Sequence, residues 1–464
     1  MNEEAIQART PQQYRIGAAI FFFISGFGFS SWASRIPTIQ NRLHLNDGQL
    51  GTVLFALPIG LMFTMPISNW LLSKYSSRAI MLSGSLFLCA ILVFIGLANS
   101  MLQLIVVLFF FGSARNMMTL SINTQGVGVQ ALYSKSIMAT FHGIWSMAGF
   151  AGAAVGLVMV YFNVAVPYHF LIISIILALF TLYFINDTLH TMPDVQFKKP
   201  FLPLLLDFLM KVFIILAIVF SIYGLYQLMV FYKIRLIYSV SVWLVLLAMV
   251  ILYFVFRSRD ETKKPIFNLP DKYLLKFSLI CFACMACENT MYDWSAIYFQ
   301  KAVHADKTTS TAAFVIYLVA MTTGRFFGDR VVTRLGIKAV LKFSGLFIFC
   351  GLVMAVALPY IYTALLGFIL VGFGVSCIVP MVFSLAGKSK NMSSSSALAS
   401  ISTVGYLGFV LVPPLVGFIS QNFGLRISFS IIALFGGIIV YLVSKLSDNN
   451  EESNSPVVFP DFEE

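Results

Sequence analysis

Apolar segments of about 20 residues recur almost from end to end of this chain of 464 residues. A helix of that length rises about 1.5 Å per residue, which matches a hydrocarbon core about 30 Å thick. Hydrophobic residues make up 59% of the chain and charged residues 11%. A soluble domain carries about 25% charged residues. We therefore predict an all-α polytopic membrane protein.

The apolar segments predict fourteen spans, arranged as six, then two, then six. The two central spans come from apolar runs within 205–256 and are predicted to form an inserted hairpin. Pro380, Pro413 and Pro414 are expected to interrupt spans of the second half. The predicted regions are a cytoplasmic N-terminus (1–14), a six-helix bundle (15–186), a central linker (187–272), a second six-helix bundle (273–446) and an acidic cytoplasmic tail (447–464).

Basic residues are concentrated in alternate loops of this topology. Loops rich in lysine and arginine stay on the cytoplasmic side of a bacterial inner membrane. With both termini cytoplasmic, most of the 30 basic residues fall on the inner side. Orientation and anionic headgroups then account for the net charge of +11, and no nucleic-acid partner is predicted. Lys233 and Arg235 would lie outside, unless the central pair is re-entrant or lies on the membrane surface.

Motifs of soluble catalysis are missing from the sequence. It contains no Walker loop, and its histidines and acids show no metal-ligand spacing. Cys281, Cys284 and Cys287 lie within one apolar run, where thiols behave as small apolar side chains. We therefore predict no enzymatic activity, no metal and no cofactor.

Glu288 and Asp293 lie inside an apolar segment of the second half. Ionised carboxylates are costly in hydrocarbon, so both are candidates for proton coupling. At about 100° per residue the two side chains point about 140° apart, so we do not expect them to share a proton. Glu288 lies near mid-span and is the leading coupling candidate. The alternative is a neutral glutamic acid that is hydrogen-bonded to a neighbouring helix.

Asp293 has two predicted contacts. Asn289 lies four residues earlier and is expected on the same helix face. Arg35, at the outer end of the first span, matches Asp293 in depth. We hypothesise that Arg35 and Asp293 pair and close an outer gate. The alternative for Asp293 is a local capping role.

Arg115 lies deep in the fourth span, where a permanent cation needs a carboxylate, carbonyl groups or a water-lined cavity. It could set the protonation of Glu288, bind an acidic or hydroxylated solute, or pair with carbonyls at a helix end. His142 is a further candidate proton relay, because histidine titrates near neutral pH. A lone intramembrane histidine is more often a packing residue, and that alternative stays open.

Other polar and aromatic residues are candidates for a solute cavity. These are Asn123, Gln125, Trp145, Asn289, Tyr292, Trp294 and Tyr406. Aromatic rings stack on sugar faces, although rings near span ends also form interfacial belts. Gly149, Gly152 and Gly156 form a small-residue stripe that predicts close helix packing.

Two further patterns point to a two-part molecule and to its family. Trp32 and Trp294 lie in similar short sequences 262 residues apart, which indicates an internal repeat. The segment from Gly324 to Arg330, with Arg334-Leu335-Gly336 after it, resembles the loop signature of the major facilitator superfamily. The segments that resemble its MosC-like and YbjJ-like branch, related to fucose-permease-type sugar porters, are Trp32 to Pro37, Gln49 to Gly51, Asn123 to Gly126, Phe141 to Gly143, Asp293 to Ser295 and Gly405 to Phe409.

The resemblance implies two pseudo-symmetric six-helix bundles and a proton-driven carrier of sugars or sugar-like compounds. Its partners would be a small-molecule solute, protons and the lipid bilayer, and it would function as a monomer. Arg325, Asp329 and Arg334 would form a latch at the inner face, with an Arg325–Asp329 pair possible at their spacing of four. Two alternatives remain, namely a proton-coupled exporter of drugs or amphiphiles and a non-transporting membrane sensor or assembly protein.

Overall fold

The computed structural model describes residues 9–133, 137–190, 272–386 and 394–446. Within those residues, 12 helical segments are long and apolar enough to cross a membrane. They correspond to twelve of the predicted spans. The predicted central hairpin at 205–256 lies outside the described residues.

The helices of the first half form one bundle. They are α1 (Pro11–Ala33), α2 (Ile36–Arg42), α3 (Asp47–Lys74), α4 (Ser77–Leu97), α5 (Met101–Gln130), α6 (Met138–Tyr161) and α7 (Val166–Phe184), with a 3-10 turn at Ile185–Asp187. The described helices of the second half are α8 (Lys272–Lys301), α9 (Lys307–Leu335), α10 (Ile337–Ala357), α11 (Ile361–Ser376), α12 (Ile378–Ala386), α13 (Ser394–Phe423) and α14 (Leu425–Ser444).

Polar side chains define where several helices begin. Thr10 caps α1 and Asn46 caps α3, each in a reciprocal capping box with the glutamine three residues later. The span formed by α11 and α12 breaks at Cys377, three residues before Pro380. By contrast, α13 runs through Pro413 and Pro414, so the interruption expected there is wrong.

The helices alternate in direction and define two faces of the molecule. We call the face where α1 begins the terminal face, and the opposite one the far face. Arg9 pairs with Asp187 at 3.0 Å on the terminal face. On the same face Lys276 Nζ donates to the carbonyl oxygen of Lys445 at 3.1 Å. Both halves therefore start and finish on the terminal face.

The two halves meet mainly along α3 with α13 and along α6 with α9. Glycine allows the backbones of α3 and α13 to touch, because a Cβ on Gly51 would lie 2.7 Å from the carbonyl oxygen of Pro413. Near the terminal face, Gly143 of α6 lies close to the ring of Phe326 in α9. The space enclosed between these two contacts is where the candidate site lies.

Within the first half, α1 packs on α6 through the predicted glycine stripe. A Cβ on Gly152 would lie 2.5 Å from the carbonyl oxygen of Phe27, which is closer than real Cβ contacts allow. Small residues that let backbones approach are a common basis of helix association in membranes. The stripe thus fixes the position of α1 beside the site.

We expect Gly152→Ala to lower the melting temperature of the purified protein, because overpacking at such a contact costs about 1–3 kcal/mol. The matched control is Gly437→Ala, whose added Cβ would lie 3.7 Å from a ring carbon of Phe349, an ordinary contact. Thermal unfolding in detergent measures both variants. Equal melting temperatures for the two variants would contradict this account of the α1–α6 contact.

Candidate functional site at the interface between the halves

An arginine joins the two halves on the terminal side of mid-depth. Arg325 of α9 donates from Nη2 to Glu288 Oε1 of α8 at 3.1 Å and from Nη1 to Ser146 Oγ of α6 at 2.6 Å. Its Nε donates to the carbonyl oxygen of Ser376 at 3.4 Å. Because Ser146 belongs to the first half and Glu288 to the second, Arg325 couples the carboxylate to the inter-half contact.

The Arg325–Glu288 pair is partly accessible to solvent. The side chains of Arg325 and Glu288 are 23% and 14% accessible, respectively. Solvent therefore reaches the pair, while the carboxylate of Glu288 keeps a charge-assisted partner. Protonation of Glu288 would remove the negative charge that holds the guanidinium group of Arg325.

One sequence-based expectation for these residues is wrong, and another falls on a side chain outside the described residues. Arg115 was one predicted partner of Glu288, and this is wrong because Arg325 occupies that role. For Arg325, the described contacts are those to Glu288, Ser146 and Ser376, while the side chain of Asp329 lies outside the described part of the chain. Arg334 is exposed in the last turn of α9.

Asp293 lies on the helix face that the sequence indicated. Its Oδ2 accepts a hydrogen bond from Asn289 Nδ2 at 3.0 Å, which confirms that the two residues share a face. The predicted Arg35–Asp293 pair is wrong. Arg35 is buried and its Nη2 instead donates to the carbonyl oxygen of Val164 in the loop after α6. Equal depth in the membrane did not bring the two side chains together.

Arg115 lies against an aromatic ring at the centre of the molecule. Its guanidinium carbon is 3.7 Å from the ring centroid of Phe29 in α1. Its Nε and Nη1 are buried and have no hydrogen-bond partner among the described residues. The hydroxyl of Tyr292, whose ring centroid is 5.2 Å from that of Phe29, is likewise buried without a described partner. The unpaired donors of Arg115 and Tyr292 thus lie beside the same aromatic ring, that of Phe29.

A small cavity lies beside this cluster between the two halves. It is bordered by residues of α1, α3, α8 and α13, namely Phe29, Leu54, Leu57, Pro58, Asn289, Asp293, Phe409 and Pro413. Apolar walls with a few convergent polar groups are typical of small-molecule sites. The position of Asp293 in the wall makes it the carboxylate of this cavity.

The remaining predicted cavity residues separate into three groups. Tyr406 is exposed and interacts electrostatically with Arg115. Asn123 is half-buried, as is Trp145 on α6. Trp294 is fully buried, and its Nε1 has no hydrogen-bond partner within the described residues. Tyr406 therefore lies within electrostatic range of Arg115, whereas Trp294 lies in the core of the second half.

Gln125 does not belong to the cavity, contrary to the prediction. Its Nε2 donates to Ser77 Oγ at 2.8 Å and to the carbonyl oxygen of Leu189 at 2.7 Å, and its Oε1 accepts from Leu189 N at 2.9 Å. The side chain is fully buried. Its amide therefore fastens the end of the first half to α4 and α5.

His142 lies one turn into α6, near the terminal face, and its side chain is exposed. Its ring meets Phe22 edge-on, with the centroids 5.5 Å apart. It interacts electrostatically with Arg325. The geometry places His142 between the terminal face and the Glu288–Arg325 pair.

The far face is closed by a polar network that the sequence analysis missed. Asp47 at the start of α3 pairs with Lys301 at the end of α8. It also accepts from Ser420 Oγ of α13 at 2.5 Å and from Gln40 Nε2 at 2.9 Å. Nearby, Asn41 Nδ2 donates to Gln300 Oε1 at 3.3 Å. The far-face network, meaning Asp47 and its partners, ties both halves together above the cavity.

We expect Tyr292→Phe to leave the melting temperature unchanged or slightly higher, because the buried hydroxyl it removes has no described partner. The control is Tyr298→Phe, which removes a buried hydroxyl that donates to the carbonyl oxygen of Ala355 at 2.8 Å. That loss costs about 1 kcal/mol and leaves an unsatisfied acceptor. A larger drop for Tyr292→Phe than for Tyr298→Phe in thermal unfolding would refute the assignment.

The sequence matches the model of the Major Facilitator Superfamily over residues 18–259 and 275–459. This chain belongs to the major facilitator superfamily. An uncharacterized MFS-type transporter of Yersinia pestis is 26% identical over 94% of this chain and 95% of its own length. Membrane protein MosC of Rhizobium meliloti is 25% identical over 93% of this chain and 89% of its own length.

A solved structure shares the fold of this major facilitator. The crystal structure of a mutant of the nucleoside transporter NupG superposes with a TM-score of 0.64, at 14% identity, and covers 93% of this chain and 99% of the other. The chain is thus an integral, multi-pass membrane protein of the transporter type, and the predicted superfamily is confirmed. The interface between the halves is its functional site candidate.

Proposed function

We propose that this major facilitator carries a sugar or sugar-like solute across a bacterial inner membrane by alternating access, in symport with protons. The termini lie in the cytoplasm, so the terminal face is the inner face. The far-face network then closes the outside, and the Arg325–Ser146 contact lies on the inner side of the cavity. The exposed His142 lies between that contact and the inner solution. The protein acts as a monomer in the lipid bilayer.

The observation that carries the proposal is the double role of Arg325. It holds Glu288 in one half and Ser146 in the other. A proton on Glu288 changes the charge that orients Arg325 and so changes the free energy of the inter-half contact. A ligand shifts a conformational equilibrium only through such a difference between states. Here the ligand is the proton.

The solute class rests on the family resemblance and on the chemistry of the cavity. Phe29 and Tyr292 present adjacent aromatic surfaces, while Asp293 and Asn289 offer polar groups to hydroxyls. Aromatic faces with a few fixed polar groups suit sugars and cyclic polyols.

The proposal is tested with purified protein in proteoliposomes. Radiolabelled glucose, glucosamine, glucuronate and myo-inositol are supplied outside, with and without an inward proton gradient. We expect at least one of them to accumulate, and only with the gradient. Solute efflux driven by proton influx would identify an exporter instead. Absence of flux for all four solutes in either direction would favour a non-transporting membrane protein.

A further inference from the structure

The side chains of Arg115, Phe29 and Tyr292 form a central cluster that contains one charged group, the guanidinium group of Arg115. Arg115 lies at mid-length of α5, with Nε and Nη1 buried and without hydrogen-bond partners among the described residues. A guanidinium group stays charged at any physiological pH, and leaving it buried and unpaired is expensive. Proteins normally resolve this with an anion. No ion pair to Arg115 occurs in the described part of the chain, so its guanidinium group has no direct anionic partner there.

We propose that Arg115 binds a carboxylate of the transported solute, which makes the solute a sugar acid or a similar acidic polyol. This narrows the substrate class of the site and rests on the proposed transport function. The planar fork of arginine matches a carboxylate in two parallel hydrogen bonds. The ring of Phe29, whose centroid is 3.7 Å from the guanidinium carbon, pre-orients that fork.

The surroundings favour a monoanion with hydroxyl groups. The buried hydroxyl of Tyr292 can donate to the same anion or to a sugar oxygen. Asp293 interacts electrostatically with Arg115 and lies in the cavity wall. Asp293 repels any anion that binds to Arg115, but it repels a singly charged carboxylate less than a doubly charged phosphate. Asp293 and Asn289 then remain to bind hydroxyls at the other end of the solute.

The test compares matched acidic and neutral sugars for binding to the purified full chain. The pairs are glucuronate with glucose and galacturonate with galactose, with thermal unfolding and isothermal titration as readouts. We expect each acid to bind more tightly than its neutral partner, and Arg115→Gln to weaken the acids by at least about 30-fold. The neutral sugars should change much less.

Two further variants control for folding and for bulk charge. Arg115→Lys keeps the cation but not the fork, and should retain part of the preference for the acid. Arg426→Gln removes an exposed far-face arginine that donates to the carbonyl oxygen of Val356, and should retain all of it. Ligand-free Arg115→Gln should melt no lower than the wild type, because an unpaired buried charge is removed.

Several results would overturn the inference. Acids that bind no better than their neutral partners, or a preference for the acid that survives in Arg115→Gln, would exclude a carboxylate site. A lower melting temperature for Arg115→Gln with unchanged binding would indicate a packing role against Phe29. Binding is measured without flux, so these outcomes are separate from the proposed transport. Binding of the sugar acids without proton-driven uptake would contradict the proposed transport but not the carboxylate site.

Discussion

Replacing Glu288 with glutamine is expected to abolish proton-driven accumulation while leaving solute exchange intact. Glutamine has the same shape and can still accept a hydrogen bond from Arg325, but it cannot bind and release a proton. The solute should then equilibrate across the membrane instead of accumulating. The measurement is uptake of the solute that wild-type proteoliposomes accumulate, with an inward proton gradient, next to exchange of labelled for unlabelled solute without one.

The controls for Glu288→Gln separate coupling from folding. Glu288→Asp keeps a titratable group but is one methylene shorter, so partial accumulation is expected. Asp306→Asn changes another acid of the second half, one that caps α9 by accepting hydrogen bonds from the backbone of Thr308 and Thr309. Asparagine caps equally well, so transport should be normal. Accumulation by Glu288→Gln at the wild-type level would rule out Glu288 as the coupling residue.

The second large effect is expected at the far face. Asp47→Ala removes the ion pair with Lys301 and the hydrogen bonds from Ser420 and Gln40 at once. The Asp47 side chain is 11% accessible and that of Lys301 is 40% accessible, so solvent screens the pair. Together these links contribute about 1–3 kcal/mol. The ratio of far-face-open to closed molecules should therefore rise by about 5- to 150-fold.

Spin labels on opposite halves measure this opening directly. Phe162 follows α6 and Tyr362 lies in the first turn of α11, and both side chains are exposed at the far face. Cysteines at these two positions, with the exposed native Cys350 changed to serine, report the separation by double electron–electron resonance. Asp47→Ala should add a long-distance population, and Lys301→Gln a smaller one. Identical distance distributions in Asp47→Ala and its parent would show that the network does not hold the far face closed.

Hydropathy predicted the described spans well because the apolar composition of a run is enough to indicate that the segment lies in lipid or packs inside the protein. The Asn289–Asp293 contact was likewise predictable, since a spacing of four residues fixes a shared face within one helix. Both are local properties. Neither requires knowledge of how one helix is rotated against another.

The contacts that failed or were missed all depend on helix rotation. Glu288 accepts a hydrogen bond from Arg325, which is 37 positions away in the sequence, and Arg325 also donates to Ser146, which is 179 positions away. Which face of α9 turns toward α8 is set by packing, and a single sequence carries little record of it. Arg35 was matched to Asp293 by depth alone, but its side chain turns to the carbonyl of Val164. Equal depth fixes only the position of the two residues along the membrane normal and not their positions in the membrane plane.

In the proposed mechanism, the charge on Glu288 sets, through Arg325, the equilibrium between molecules with an open and a closed terminal face. Because Arg325 and Ser146 meet on the terminal side of the cavity, releasing that contact should open the terminal face. Tyr75 follows α3 and Leu335 ends α9, and both side chains are exposed at the terminal face, on opposite halves. Spin labels at these two positions, again with Cys350 changed to serine, report the opening.

The decisive measurement is the Tyr75–Leu335 distance distribution over a range of pH without solute. In the wild type, acidification should increase the terminal-face-open population, because protonation of Glu288 frees Arg325 and weakens its hold on Ser146. Glu288→Gln should show that increased population at every pH. A wild-type distance distribution that does not change with pH, or a Glu288→Gln distribution that still does, would contradict the proposed role of Glu288.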